Sequence, residues 1–391
     1  MNSSIHCGDN VSVWEEQSQQ MYTYFYLLLF VPGLLLNTTA LWVLYRHISK
    51  KTKAVIFMMN LAFADLAHIL SLPLRIYYYF THHWPFGRKV CLLCFYLKYL
   101  NMYAAIMFLV CISVQRCFFL LKPFSARRWR RRYDLLISSI LWAVVALGCC
   151  PFILMRSSSS SSSSSLSINH QPTISNLTHL SHISSNLSNA KSETQADGCF
   201  NDLPTRHVSS SVAVVMVTFA ELLGFLIPFI CISYSTFRIA HSLRLKQKGE
   251  EQNSMRNRSH SFTFSVDKSY MENQSRGEKR RALRMVLSCT GLFLFCFGPY
   301  HVNFLLYMLV SQDILSDCAT RLSVRRFHPI SLCLSSLSCC LNPVLYYFIT
   351  AEFRMHFKQR TTSFSELFLS SPLSSPKYTT SRNKAKRPDS S

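Results

Sequence analysis

The sequence predicts an all-α membrane protein, a bundle of seven transmembrane helices followed by a short amphipathic helix. Three observations predict it. Of 391 residues, 49% are hydrophobic and only 15% charged, a balance foreign to soluble chains of this length. Apolar runs long enough to cross a bilayer core, about 20 residues for roughly 30 Å, recur along the chain. The net charge of +22 is gathered into alternate connecting segments instead of being spread evenly.

The runs extend from Tyr22 to Tyr45, Ala54 to Phe80, Cys91 to Leu121, Leu135 to Met155, Val212 to Ile239, Leu283 to Val310 and Phe327 to Ile349. The seventh is diluted by Ser331, Ser335, Ser336 and Ser338, so six spans is the competing count; seven fits the charges. The first twenty residues hold no Lys or Arg. The first loop holds Arg46, Lys50, Lys51 and Lys53, and the second Lys122, Arg127, Arg128, Arg130, Arg131 and Arg132. Those loops, and the basic fifth loop, are predicted cytoplasmic. The resulting layout is an extracellular segment 1–20, a seven-span domain 21–350 with an outer loop 156–205 and a cytoplasmic loop 240–282, and a cytoplasmic tail 351–391. Clustered Lys and Arg also mark nucleic-acid binding, but beside membrane spans the positive-inside explanation prevails and no nucleic-acid partner is expected. The first apolar run is too long for a cleavable signal and reads as an uncleaved anchor.

The outer loop contains an unbroken serine run from Ser157 to Ser165 and then a polar stretch, a composition that buries too little surface to fold. Sequons place glycans at Asn2, Asn10, Asn176 and Asn186, all predicted outside. Asn37-Thr-Thr also matches but lies inside span one, where a polar residue facing the bundle is the reading. Most of the fifteen cysteines sit in spans and act as small apolar residues. Cys7, Cys91, Cys199 and Cys318 lie at or beyond the outer face; pairing Cys91 with Cys199 and Cys7 with Cys318 would tie span three to the long loop and the N-terminus to the last outer loop. Spacing alone leaves three connectivities open. On the inside, 245–277 reads as a flexible loop. Residues 351–360, with Phe353 and Phe357 four apart among basic neighbours, suit an amphipathic helix on the inner leaflet. The Ser/Thr-rich remainder of the tail suits phosphorylation.

Charged groups inside spans cost about 3 kcal/mol each on insertion scales, so Asp65, Arg75, Lys98, Arg116 and Glu221 are candidate functional residues. The bland alternative is that each pairs with a neighbour and only fixes the bundle. Lys98 and Arg116 are five helical turns apart, hence on one face of span three and separated by roughly 27 Å. Span two carries Asp65 to mid-membrane and Arg75 toward the outer surface, and span four delivers Phe152 and Arg156 to its outer end. Arg75, Lys98 and Arg156 thus converge on an outer cavity with Tyr79, Tyr99 and Tyr103 in its walls and one acid, Glu221, opposite. Surplus positive charge and aromatic walls predict an anionic ligand. Pro151, Pro228, Pro299 and Pro343 interrupt spans; Pro299, preceded by Gly298, is the favoured hinge.

Taken together, Asn60-Leu-Ala-Phe-Ala-Asp65, Cys91, Arg116, Trp142, Pro228, Cys296-Phe-Gly-Pro299 and Asn342-Pro-Val-Leu-Tyr346 resemble the rhodopsin-like G protein-coupled receptors over nearly the whole chain. The resemblance implies a heterotrimeric G protein as partner, with arrestin and receptor kinases. It implies that Arg116 meets the G protein when span six swings outward, with Phe297, Pro299, Asn342, Pro343 and Tyr346 taking part. It also implies no cofactor beyond an allosteric sodium ion near Asp65 and Asn342. Two departures stand out: Gln115 replaces the acid usual before the arginine, and Phe297 replaces the usual tryptophan. Ser71-Leu-Pro-Leu-Arg-Ile-Tyr-Tyr-Tyr79, His83-Trp-Pro-Phe86 and Cys94-Phe-Tyr-Leu-Lys-Tyr-Leu-Asn-Met-Tyr103 look like the purinoceptor-like subgroup, in particular its receptors for lysophosphatidylserine. That implies a lysophospholipid ligand, plasma-membrane localisation and coupling to the G12/13 class with Rho downstream. Nucleotide receptors of the subgroup carry a cation three residues after the span-six histidine; His301 is followed there by Phe304, which disfavours a nucleotide triphosphate. Arg75, Lys98 and Arg156 then hold anionic groups, Glu221 an ammonium, and the acyl chain lies between spans four and five. No internal repeat suggests a transporter, and no hydrolase or protease motif occurs in the spans.

Overall fold

The computed structural model describes residues 5–48, 55–161, 199–200, 210–256, 266–312, 314–315 and 317–349; within these, some side chains, including those of Cys7, Asn10, Phe152, Arg156 and Tyr346, lie outside the described set. Asn2, Asn176, Asn186, most of the outer loop and the tail with its expected helix 351–360 also lie outside the described residues.

Ten helices are described: α1 Ile5–Val43, α2 Val55–Thr81, α3 Gly87–Leu121, α4 Pro123–Arg128, α5 Arg131–Ser161, α6 Ser210–Glu221, α7 Ile227–Arg256, α8 Val266–Leu292, α9 Gly298–Ser311 and α10 Cys318–Ile349. A wide turn at Leu222–Leu226 joins α6 to α7 as one rod, and another at Phe293–Phe297 joins α8 to α9. Setting aside the short α4, seven rods remain. Six are long and apolar enough to cross a membrane. The seventh, α10, packs against α1, α2, α3, α8 and α9. Its serines lower its apolarity without exposing hydroxyls, because Ser331, Ser335, Ser336 and Ser338 each donate to a backbone carbonyl one turn back, at 2.7–3.0 Å.

Both wide turns precede a proline. Pro228 and Pro299 have no N–H and would clash with the carbonyl four residues earlier. Opening the helix to five-residue bonds, Ile227 N–H to Leu222 O and Gly298 N–H to Phe293 O, accommodates that defect. The rods also run beyond the predicted spans. The segment read as a flexible loop, 245–277, instead carries α7 to Arg256 and starts α8 at Val266, with 257–265 outside the described residues. Hydropathy marks where the membrane ends, whereas a helix rich in Lys, Gln, Glu, Arg and Met continues into water. By the same cheap propagation α5 enters the serine run as far as Ser161.

The helix α3 lies in the middle, against α2, α5, α7, α8 and α10. Large apolar side chains such as Leu28, Leu35, Phe63, Leu70, Val214 and Phe219 point outward, the inverse of a water-soluble fold. Asn37, the discounted sequon, is buried and donates to Cys339 O at 2.7 Å and Gly33 O at 2.9 Å, tying span one to span seven.

Candidate functional site

The disulfide Cys91–Cys199 joins the start of α3 to the long loop. It seats the next residue, Phe200, among Tyr78, Tyr79, Trp84 and Phe95, at centroid distances of 4.9–5.6 Å. Phe200 also covers the Arg75 guanidinium at 4.8 Å, with Phe95 at 5.6 Å. Arg75 is 1% exposed and donates from Nη2 to Cys94 O at 2.5 Å, yet its Nε is buried without a hydrogen-bond partner.

Tyr79 continues this wall to span one, stacking on Tyr22 at 4.9 Å and lying 6.3 Å from Tyr26. Lys98, 8% exposed, donates to Tyr26 Oη at 3.3 Å and faces the Tyr22 and Tyr26 rings at 5.8 and 6.0 Å. Two buried cations therefore share one aromatic wall built from α1, α2, α3 and the disulfide-tethered loop. Rings stabilise a cation through their quadrupole without neutralising it, so the wall retains its attraction for an anion. Sequence reading found Arg75, Lys98 and Tyr79 but missed Tyr22, Tyr26, Phe95 and Phe200.

Glu221 stands apart from that wall. Its Oε1 lies 3.3 Å from His301 Nδ1, joining span five to span six. His301 is fully buried beside Tyr103, Phe225 and Tyr300, at 6.1, 5.5 and 5.4 Å between centroids, and Phe304 stacks on Tyr300 at 5.9 Å. Gly224, in the wide turn, makes this approach feasible: a Cβ there would meet Tyr103 Cε1 at 2.6 Å and His301 Cε1 at 2.8 Å. Tyr99 is half-buried on α3. The structure thus gathers the predicted outer residues into two groups, Arg75 with Tyr79 and Lys98, and Glu221 with Tyr103, His301 and Phe304.

At mid-bundle, Asn342 Nδ2 donates to both oxygens of the buried Asp65, at 3.1 and 2.9 Å. Asn101 Nδ2 contacts Cys339 Sγ at 3.2 Å, while Asn101 Oδ1 and Asn342 Oδ1 are buried without partners. One carboxylate beside unused neutral oxygens suits a hard monovalent cation, so these residues fit sodium.

At the other end of α3, Gln115 Nε2 donates to Asp134 Oδ1 at 2.8 Å, and Trp129 Nε1 donates to the same oxygen at 2.8 Å. An acid is present after all, but it comes from α5 and holds Gln115. Arg116 keeps Nε and Nη2 buried without hydrogen-bond partners. Phe297 is fully buried against Phe293, in the wide turn before Pro299. Cys318 is disulfide-bonded; Cys7, its expected partner, has its side chain outside the described set.

Residues 36–346 match the family model for the 7 transmembrane receptor (rhodopsin family). The chain belongs to the rhodopsin family of seven-transmembrane receptors. It is 47% identical to a human protein named as a putative purinoceptor, over 85% of this chain and 82% of that one. It is 42% identical to human Probable G-protein coupled receptor 174, covering 85% and 84% of the two chains. Human Lysophosphatidic acid receptor 6 is 26% identical over 92% of this chain and 88% of its own length. The receptor is therefore a multi-pass G protein-coupled receptor of the purinoceptor-like group, not an enzyme. The family gives it a heterotrimeric G protein as partner and a small-molecule or lipid ligand.

Proposed function

We propose that the receptor is activated from outside by an anionic lysophospholipid, specifically lysophosphatidylserine, and signals through the G12/13 class. One observation carries this reading: Arg75 and Lys98 are buried on a shared aromatic wall, and the carboxylate of Glu221 is engaged elsewhere, with His301. Phosphate and carboxylate groups can take charge-assisted hydrogen bonds from such cations, with Arg156 as a third donor. Glu221 receives the ammonium in exchange for His301, and the acyl chain runs past Phe152 toward the lipid between spans four and five. Tyr79, Tyr99 and Tyr103 shape the headgroup space. Phe304, stacked on Tyr300, puts an apolar ring where a nucleotide triphosphate needs a cation.

Ligand binding between the two outer groups draws spans five and six relative to span three. Span six pivots at Phe297 and Pro299, its inner end moves outward, and Arg116 meets the G protein, with Asn342, Pro343 and Tyr346 rearranging in span seven. Sodium held by Asp65, Asn101 and Asn342 favours the resting state. Glycans at Asn2, Asn10, Asn176 and Asn186, a Cys7–Cys318 bridge, a plasma-membrane setting with the tail inside, and tail phosphorylation recognised by arrestin complete the reading.

The test is a panel of lysophospholipids and nucleotides in cells reporting G-protein activation. Lysophosphatidylserine is expected to activate, and Arg75→Ala or Lys98→Ala each to weaken its potency about 10- to 100-fold, as for one charged hydrogen bond. Rho activation is expected to vanish in cells lacking the G12/13 α subunits. A response to nucleotides alone, undiminished in both variants, overturns the lipid reading in favour of a purinergic receptor.

A further inference from the structure

The cytoplasmic turn between spans three and four carries six exposed cations, Lys122, Arg127, Arg128, Arg130, Arg131 and Arg132. The nearest acid in sequence, Asp134, is fully buried and accepts hydrogen bonds from Gln115 and Trp129. Arg127, Arg128 and Arg130 form no ion pair with any described residue. Trp129 fastens the segment: beyond its bond to Asp134, its ring packs on Phe118, Phe119 and Tyr133 at 5.7, 6.0 and 5.5 Å. The arginines on either side of it are thereby held outward by a fixed base. Flanking them, Phe124 is 81% exposed, and Leu135 and Leu136 are exposed as well. Those apolar side chains have no protein cover and belong in the hydrocarbon, which sets the arginines at headgroup depth.

We infer that this turn is a docking surface for anionic lipid headgroups of the inner leaflet, those of polyphosphorylated phosphoinositides above all. Guanidinium forks match phosphate oxygens bidentately, and a basic cluster directly cytoplasmic of a membrane helix is drawn to anionic lipid. Because Asp134 links Trp129 to Gln115, the bound headgroup bears on the segment next to Arg116 as well as on the bilayer. The inference does not depend on which ligand the outer cavity takes.

Native mass spectrometry of the full-length receptor, released from nanodiscs of phosphatidylcholine, phosphatidylserine and phosphatidylinositol bisphosphate, counts retained lipids. Wild type is expected to retain the bisphosphate lipid preferentially. Changing Arg127, Arg128, Arg130 and Arg132 together to Gln should reduce retention at least about 10-fold, at roughly fivefold per effective cation, and changing them to Lys should restore most of it. The control Arg280→Gln with Arg281→Gln, exposed cations of α8 outside this turn, should lower retention much less. Unaltered retention in the four-Gln variant, or an equal loss in the control, overturns the inference. So does unaltered retention with lost G-protein coupling, which assigns the turn to a protein partner. A measurement free of variants uses a photoreactive bisphosphate lipid on wild type: label within 122–136 supports the docking surface, and label confined elsewhere refutes it.

Discussion

The two ends of α3 each hold a basic residue on one face of one helix, roughly 27 Å apart, and they treat it in opposite ways. At the disulfide-bearing end Lys98 is wrapped by Tyr22 and Tyr26, and the neighbouring Arg75 by Phe95 and Phe200. At the other end Arg116 retains two buried nitrogens without acceptors, while Asp134 takes its hydrogen bond from the adjacent Gln115. Aromatic faces make a buried cation tolerable while preserving its charge, which suits a site awaiting an anion. Missing acceptors make Arg116 costly at rest, which suits a residue that finds its partner only when the inner end opens. The difference lies in the residues placed around each cation.

The contrast is broken most thoroughly by removing the disulfide that brings Phe200 to Arg75. Cys91→Ser or Cys199→Ser should cost about 2–5 kcal/mol of stability and abolish surface expression or ligand response. Wild-type behaviour in both variants, by surface labelling and signalling, refutes the role given to Phe200. Gly224→Ala comes next. Its Cβ would fall within 2.6 Å of Tyr103 and 2.8 Å of His301, and such overpacking costs about 1–3 kcal/mol. The expected result is a lower melting temperature in detergent and a coupling between Glu221→Gln and His301→Gln that shrinks toward zero in a double-mutant cycle. An unchanged melt means that spans five and six already yield at this contact.

Arg75, Lys98 and Asp65 were legible in the sequence because a charge in an apolar run has contrast, and helical spacing then sorts such charges by depth and face. The rings around them had no contrast, since Tyr22, Tyr26 and Phe95 are ordinary members of apolar runs. Phe200 sits in a polar loop and reaches the site only through a covalent bond. Asp134, one acid after a string of arginines, had no contrast in the sequence and was missed. Its burial depends on Trp129 folding back over it, a tertiary fact. The extended ends of α7 and α8 were missed for another reason: hydropathy measures the bilayer and is blind to helix that projects beyond it.

A smaller effect sharpens the inner half of the comparison. Gln115→Asp removes an amide donor to Asp134 and sets two carboxylates side by side, which drives the new acid toward Arg116. Basal G-protein activity should fall at equal surface expression, by about 10-fold, the lower end of the range for one charged hydrogen bond. Asp134→Asn, which leaves an acceptor for Gln115 and Trp129, should change basal activity less. Unchanged or raised basal activity in Gln115→Asp would show that an acid at this position does not restrain Arg116.

The smallest effect expected is at the loop leading into α10, outside the membrane. Asp317 Oδ2 accepts from the Thr320 backbone N–H at 3.0 Å and from its hydroxyl at 2.9 Å, capping the first turn. Those bonds favour the ionised form and hold the Asp317 carboxyl below its ordinary value of 3.8. A depressed folded-state value means the cap contributes fully above the unfolded value and is lost as pH falls through the folded one. The protection factor of the Thr320 amide, its exchange relative to the unstructured rate at the same pH, should therefore fall in acid below that range in wild type but not in Asp317→Asn, which caps without titrating. Asp317→Ala should show the lower protection at every pH. Both substitutions should leave Lys98-dependent ligand response intact, because the aromatic wall around the outer cations is built from α1, α2, α3 and Phe200 and takes no support from this turn.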